Sequence, residues 1–259
     1  MNQVQERSKV ALMQSSQEEM QRQFHEDRWS LREKVALTCR ILFAQGHESG
    51  LAGQITTRID GTSHFLTQRL GLGFDEVTPA NLLEVTAELE MVTGEGMPNP
   101  ANRFHSWIYR ARPDVGCIVH THPLHTSALS MLEQPLAISH MDTALLFDDV
   151  AFLQEWPGVP VGDDEGRIIS QALGDKRALL LAHHGLVVAC PTVEEACVIA
   201  IAFERAAKLH LLAASAGQIR PIAPHLAKEA HDWVLTRSRS RASFAYYARR
   251  VLRDDPAFL

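Results

Sequence analysis

Residues 110–128 read RARPDVGCIVHTHPLHTSA, and they place two histidines at the end of a predicted β-strand. The short apolar run at residues 116–119 favours a strand that continues to Pro123, where a helix begins. Side chains two positions apart on a strand point to the same face, so His120 and His122 can converge on one ion. The segment therefore predicts two ligands of a metal site at a strand end.

A third histidine follows another apolar stretch further along the chain. Residues 178–182 predict a strand, and His184 comes directly before Gly185, which allows the backbone to turn sharply. Three neutral imidazoles with an open coordination position are typical of a catalytic divalent-metal site. The spacing leaves a second interpretation open, in which the histidines are surface or core residues that hydrogen-bond the backbone.

Composition and charge limit the classes of protein to which the chain can belong. It has 259 residues, 46% of them hydrophobic and 22% charged, with a net charge of −6, which excludes a mostly disordered chain and argues against a nucleic-acid-binding surface. No stretch reaches the roughly 18 apolar residues of a membrane span, and the N-terminus lacks a signal-peptide pattern. We therefore expect a cytoplasmic protein with four buried, reduced cysteines: Cys39, Cys117, Cys190 and Cys197.

The remaining patterns predict one α/β domain at residues 29–259, preceded by a polar tail or weak helix at residues 1–28. Predicted helices cover about 30–45, 100–112, 192–215 and 224–253, and predicted strands cover 54–60, 64–68, parts of 83–93, 116–120, 178–182 and 186–190. These elements favour a mixed or mostly antiparallel sheet with helices packed on it.

Residues 110–128 resemble a segment of the class II aldolase/adducin family. Further similar segments occur in the same order, namely GQITTR at 53–58, FDEVTP at 74–79, the histidine element at 180–185 and the helix at 202–212. The resemblance implies a three-layer α/β/α class II aldolase-like fold around a nine-stranded mixed, mostly antiparallel sheet. It also implies a homotetramer with active sites between subunits, and one divalent metal per chain held by His120, His122 and His184.

The chain departs from the family's sugar-phosphate aldolases at several positions and resembles an adducin-like branch without the catalytic glutamate. That glutamate falls on Ala101, and the serines that bind phosphate are absent. Gln54 stands where the aldolases have asparagine, and Arg69 lies in the altered loop 68–71. We expect Gln54 and Arg69 to bind substrate, since a guanidinium suits a carboxylate, although Arg69 can equally be a solvated loop residue.

The resemblance and these departures together indicate a metal-dependent lyase that cleaves a carbon–carbon bond, of aldolase or decarboxylase type. Its expected substrate is a small, non-phosphorylated oxygenated acid or aldehyde, and its expected metal is zinc, with manganese or iron as alternatives. Two other functions stay open, a non-catalytic adducin-like binding protein and an iron-dependent oxygenase acting on an aromatic acid. The proton-transfer group is not assigned, and the candidates are His125, His140, Asp142, His183, Tyr246 and Tyr247. His105 matches a histidine common in the family, and we expect it to lie at the edge of the core beside the ligands or to be a fourth ligand.

Overall fold

The computed structural model describes residues 7–24 and 28–258, and within them the chain forms an α/β/α sandwich. The strands are β1 Gln54–Arg58, β2 Phe65–Thr67, β3 Leu83–Val85, β4 Met91–Thr93, β5 Cys117–Thr121, β6 Val150–Leu153, β7 Ala178–Leu181 and β8 Leu186–Cys190. The helices are α1 Lys9–Gln23, α2 Leu31–Ala44, α3 Asn102–Ala111, α4 Leu124–Ser130, α5 Asp163–Leu173, α6 Val193–Ala216, α7 Pro224–Val234 and α8 Arg237–Asp254. Two 3₁₀-helices lie at Pro79–Asn81 and Met141–Leu146.

The eight described strands form one sheet in the order β4-β3-β2-β1-β5-β8-β7-β6. Only the edge pair β6–β7 is parallel, and all other pairs are antiparallel. This confirms the mixed, mostly antiparallel sheet, with eight strands in the described residues where the resemblance implied nine. Strand β5 lies at the centre, between β1 and β8, so its C-terminal end carries His120 into the middle of the molecule.

Each face of the sheet has its own hydrophobic core. One core lies under α2, α6 and α8 and contains Leu37, Ile41, Val119, Phe203 and Phe244. The other lies under α3 and α5 and contains Phe65, Phe104, Ile118, Ile169 and Leu181. The alternation of Ile118 and Val119 between the two cores follows from the two-residue period of a strand buried on both faces.

Side-chain caps define where the main helices begin. Ser30 and Glu33 form a capping box at the start of α2, and the Thr192 side chain accepts a hydrogen bond from the backbone N–H of Glu195 at the start of α6. The predicted C-terminal helix is divided at residues 235–236 into α7 and α8, and Thr236 caps the second helix.

Several elements lie outside the sequence-based predictions. Strand β6 and helix α5 fall within residues 133–177, for which the periodicity made no prediction. In the N-terminal segment, α1 occupies Lys9–Gln23, whereas residues 1–6 and 25–27 lie outside the described part of the chain. The four cysteines are buried and none of them forms a disulfide bond, as expected. In the described residues no helix is long and apolar enough to cross a bilayer.

Candidate metal centre

Three histidines come together at the C-terminal end of β5. One ligand nitrogen from each of His120, His122 and His184 lies within 4.8 Å of the others. The ring centroids of these histidines are 4.7–4.8 Å apart. Strand β5 carries His120, the residue after its end is His122, and the turn between β7 and β8 carries His184. His184 therefore joins two histidines that are 62 and 64 positions away from it in one cluster of potential metal ligands.

The hydrogen bonds of His120 determine which of its nitrogens can bind a metal. Its Nδ1 lies 2.8 Å from the carbonyl oxygen of Leu186, an acceptor only, so Nδ1 carries the hydrogen and donates it. Nε2 then carries a lone pair, and it lies 2.9 Å from Nε2 of His122. A carbonyl that orients a ring in this way is the usual support of a metal-binding histidine, and the donor set fits a divalent ion.

The environment keeps the three rings neutral. Burial lowers the pKa of His122, and it lowers the pKa of His184 to about 4, with a further contribution from nearby His122. The pKa of His120 lies well below its ordinary value, because of burial first and of the neighbouring rings second. Neutral imidazole is the form that coordinates metal ions.

The turn that carries His184 is tightly constrained. His183 adopts a positive φ of 56°, which is uncommon for a residue with a Cβ, and its ring points to Glu133, with Nε2 2.9 Å from a carboxylate oxygen. The ring of His183 is thus paired at the surface rather than in the cluster. A Cβ at Gly185 would lie 2.6 Å from Cδ2 of His122, so a glycine is required by the close approach of that ring.

Glu204 of α6 supports the segment that follows His122. Its carboxylate accepts hydrogen bonds from the backbone N–H groups of His125 and Thr126, at 3.0 and 2.8 Å. It also accepts from the Thr126 hydroxyl at 2.7 Å, and it lies 2.6 Å from Nδ1 of His125. A nearly buried carboxylate thus caps the N-terminus of α4. Sequence reasoning assigned no role to Glu204, because nothing local links positions 79 residues apart.

The structure places Gln54 beside this cluster and Arg69 at the same end of the sheet, two strands from β5. Gln54 is opposite His120 in the β1–β5 register, so the two side chains share one face of the sheet, and Gln54 is 96% buried. Arg69 follows β2 on the neighbouring side of β1, where its side-chain carbons pack against Gly96. Among the described residues, no group forms a hydrogen bond or ion pair with the Arg69 guanidinium. That Gln54 and Arg69 bind substrate stays a prediction.

The other proton-transfer candidates have different environments. Asp142 forms an ion pair with Arg205, and Nδ1 of His140 accepts a hydrogen bond from the backbone of Asp142. Burial raises the pKa of Tyr247 on α8, and Tyr246 lies half exposed beside it. His105, expected from the sequence to be a core-edge group or a fourth ligand, is buried outside the three-histidine cluster, with Nδ1 2.8 Å from the Thr56 hydroxyl.

Comparison with known proteins identifies the family. The model of the class II aldolase and adducin N-terminal domain matches residues 33–211, which is more than half of the chain. The chain therefore belongs to the class II aldolase and adducin family, as the sequence motifs indicated.

Relatives of the chain include both enzymes and adducins. It is 32% identical over 203 residues to 3,4-dihydroxyphthalate decarboxylase of Arthrobacter keyseri, covering 72% of this chain and 79% of the relative. It is 35% identical over 172 residues to mouse (Mus musculus) alpha-adducin, which covers 64% of this chain but only 23% of the adducin. The structure of L-fuculose 1-phosphate aldolase from Glaciozyma antarctica PI12 superimposes with a TM-score of 0.80 at 29% identity, covering 88% of this chain and 90% of that chain. These likenesses confirm the class II aldolase fold.

Proposed function

We propose that the protein is a divalent-metal-dependent lyase that cleaves a carbon–carbon bond in a small, non-phosphorylated oxygenated acid or aldehyde. The observation that carries this proposal is the cluster of His120, His122 and His184, whose nitrogens converge at a strand end. A divalent ion held there would act as a Lewis acid that stabilises negative charge developing on a substrate oxygen. Both retro-aldol cleavage and decarboxylation produce such a charge.

The surroundings of the cluster support an acid over a sugar phosphate. Ala101 stands directly before α3, at the position where the family's aldolases carry a glutamate, and its methyl group can neither bind metal nor transfer a proton. Arg69 offers a guanidinium without a partner among the described residues, which suits a carboxylate in a bidentate geometry. Decarboxylation fits this combination, since it needs no base for a retro-aldol step. The decarboxylase relative acts, by its name, on a dihydroxylated aromatic diacid.

Metal analysis of the purified chain by mass spectrometry, before any contact with chelators, tests the proposal first. We expect about one zinc or manganese ion per chain, and metal-dependent cleavage in a screen of hydroxy acids, aromatic acids and aldehydes. Iron together with oxygen consumption would favour the oxygenase alternative. A chain that takes up no divalent metal would contradict the lyase proposal and favour a binding protein.

The same proposal includes zinc as the metal, assembly into a tetramer and a cytoplasmic location.

A further inference from the structure

Three buried hydrogen-bond acceptors close to the three-histidine cluster lack donors among the described residues. Among the described residues, Oε1 of Gln54, Oδ1 of Asn102 and Nε2 of His105 are buried atoms without a hydrogen-bond partner. Each of these side chains is at least 96% buried. Because an unpaired buried polar atom destabilises a folded chain, such atoms are uncommon, and several in one neighbourhood call for a functional explanation.

A chain of hydrogen bonds defines the free nitrogen of His105 as an acceptor. The Tyr109 hydroxyl lies 2.9 Å from the carbonyl oxygen of Thr56, so its single hydrogen is donated there. The Thr56 hydroxyl, 3.0 Å from the phenol oxygen, then donates to that oxygen and accepts from Nδ1–H of His105 at 2.8 Å. Nε2 of His105 therefore carries a lone pair. Burial also lowers the pKa of His105 to about 3, in keeping with a neutral ring.

The hydrogen bonds around Asn102 define the orientation of its amide. Its Nδ2 donates to Oγ1 of Thr67 at 3.0 Å. The Thr67 hydroxyl can donate its hydrogen to the backbone oxygen or to the side-chain oxygen of Gln68, each 3.4 Å away. It therefore does not donate to Oδ1 of Asn102. Oδ1 of Asn102 is therefore the atom left without a partner.

The β-sheet register places these acceptors side by side. Thr56 and Thr67, which hold His105 and Asn102, are direct cross-strand partners. His105 and Asn102 are three positions apart on α3 and so lie on one face of that helix.

The same register connects this pair to the metal cluster. Gln54 lies two residues before Thr56 on β1, with its side chain on the same face of the sheet. Gln54 is the direct cross-strand partner of His120. The acceptors thus lie between the sheet and α3, on the face of the sheet that also carries His120.

We infer that Asn102 and His105 form a hydroxyl-recognition subsite beside the three histidines, where their free acceptor atoms receive hydrogen bonds from hydroxyl groups of the substrate. The inference rests on the proposed function, and it narrows the substrate to a hydroxy acid whose carboxylate pairs with Arg69. A substrate carrying only acceptors at that end, such as a phosphate or ether, would bring lone pairs against lone pairs and bind poorly. The acceptor atoms are closed to solvent, so a neighbouring side chain has to move when a hydroxyl enters.

Two pairs of acids that differ in their hydroxyl groups test the subsite. Calorimetry would measure the dissociation constants of glycerate against propanoate, and of 3,4-dihydroxybenzoate against benzoate, for the full chain with and without added Zn²⁺. His105→Asn keeps an N–H for Thr56 and removes the acceptor at the Nε2 position. His105→Gln places an amide at the Nε2 position and is the matched control. Asn102→Leu removes the second acceptor with little change of shape.

We expect the wild-type chain to bind the hydroxylated acid of at least one pair more tightly. His105→Asn and Asn102→Leu should each reduce that preference about tenfold, because a hydroxyl then loses its acceptor. His105→Gln should retain most of the preference. Circular dichroism should show that the variants compared keep the wild-type fold, and their metal content should stay close to wild type.

A wild-type chain that shows no hydroxyl preference, or that binds none of the four acids at millimolar concentration, would overturn the inference. A preference that survives both His105→Asn and Asn102→Leu would do the same, since it would then come from the metal alone. So would crystals with bound acid in which only water contacts the two acceptors. The lyase proposal fails separately, if the chain holds no metal or cleaves no carbon–carbon bond. The ratio of the two dissociation constants in each pair of acids can still be measured in that case.

Discussion

His120 is the most constrained of the three clustered histidines, because its Nδ1–H is committed to Leu186 and its side chain is 1% exposed. We expect His120→Ala, and likewise His122→Ala, to lose bound metal while the fold survives, since each removes one of three proposed ligands. Metal content by mass spectrometry and circular dichroism together check this. His64→Ala is the control, because His64 pairs with Glu84 away from the cluster. Full metal occupancy in both cluster variants would contradict the assignment.

Gly185 is required by the space around it. An added Cβ would lie 2.6 Å from the ring of His122 and 2.6 Å from the carbonyl oxygen of Thr121. We expect Gly185→Ala to displace His122 and weaken zinc binding by about tenfold or more, measured by competition with a chelating dye. Gly217→Ala should leave zinc affinity unchanged, because no more distant part of the described chain lies within 4 Å of its added Cβ. Equal affinity of the two variants would show that the turn tolerates a side chain.

His47 makes the stability of the fold depend on pH. Its side chain is 1% exposed, and burial lowers its pKa to about 4. The unfolded chain binds a proton at this residue below about pH 6.5 while the folded chain does not, so stability falls as the pH falls toward 4.

The size of this effect can be measured by urea unfolding. Between about pH 7 and pH 5, His47 should reduce the free energy of unfolding by about 2 kcal/mol. His47→Asn keeps a group at the Nδ1 position for Thr121 and should lose correspondingly less stability over the same range. An identical pH dependence in the variant would refute this.

At the scale of elements, the contact between α4 and α6 depends on Glu204. Its carboxylate accepts from two backbone N–H groups and one hydroxyl at the start of α4. Glu204→Gln turns one acceptor oxygen into a donor that faces other donors. We expect it to lower the free energy of unfolding by about 1–3 kcal/mol, measured by urea denaturation.

Glu195→Gln on the same helix is the matched control. Burial raises the pKa of Glu195, so loss of its charge should change stability little. If both variants unfold at the same urea concentration, the cap on α4 contributes nothing measurable.

At the scale of the whole molecule, apolar side chains are exposed close to the metal cluster. Leu124 is 74% exposed and Met131 is 67% exposed, one at each end of α4. We expect the protein to form a tetramer by light scattering, and Met131→Asp to shift it toward smaller species, because an exposed apolar surface of this kind favours contact between subunits. Val10→Asp, at an equally exposed position on α1, should keep the wild-type mass. A monomeric wild-type chain would contradict the expected assembly.

The sequence predicted the central elements because their patterns are local. Apolar runs bounded by turn residues identified β5, β7 and β8, and the Ser30 and Thr192 caps marked the starts of α2 and α6. Strand β6 was not predicted, because its partner β7 is parallel and follows only after α5. No hairpin turn therefore marks the pairing in the sequence.

The sequence by itself determined the family, the layered fold and the identity of three candidate ligands, because motif order and residue period are written along the chain. Only the tertiary structure brought His184 to His120 and paired Glu204 with α4, since both contacts join segments separated by more than 60 residues. Within the described part of the chain it also leaves acceptors on Asn102 and His105 without donors, which no local pattern reveals. Whether a buried polar atom has a hydrogen-bond partner depends on its neighbours in space, and those neighbours come together only when the sheet and helices have packed.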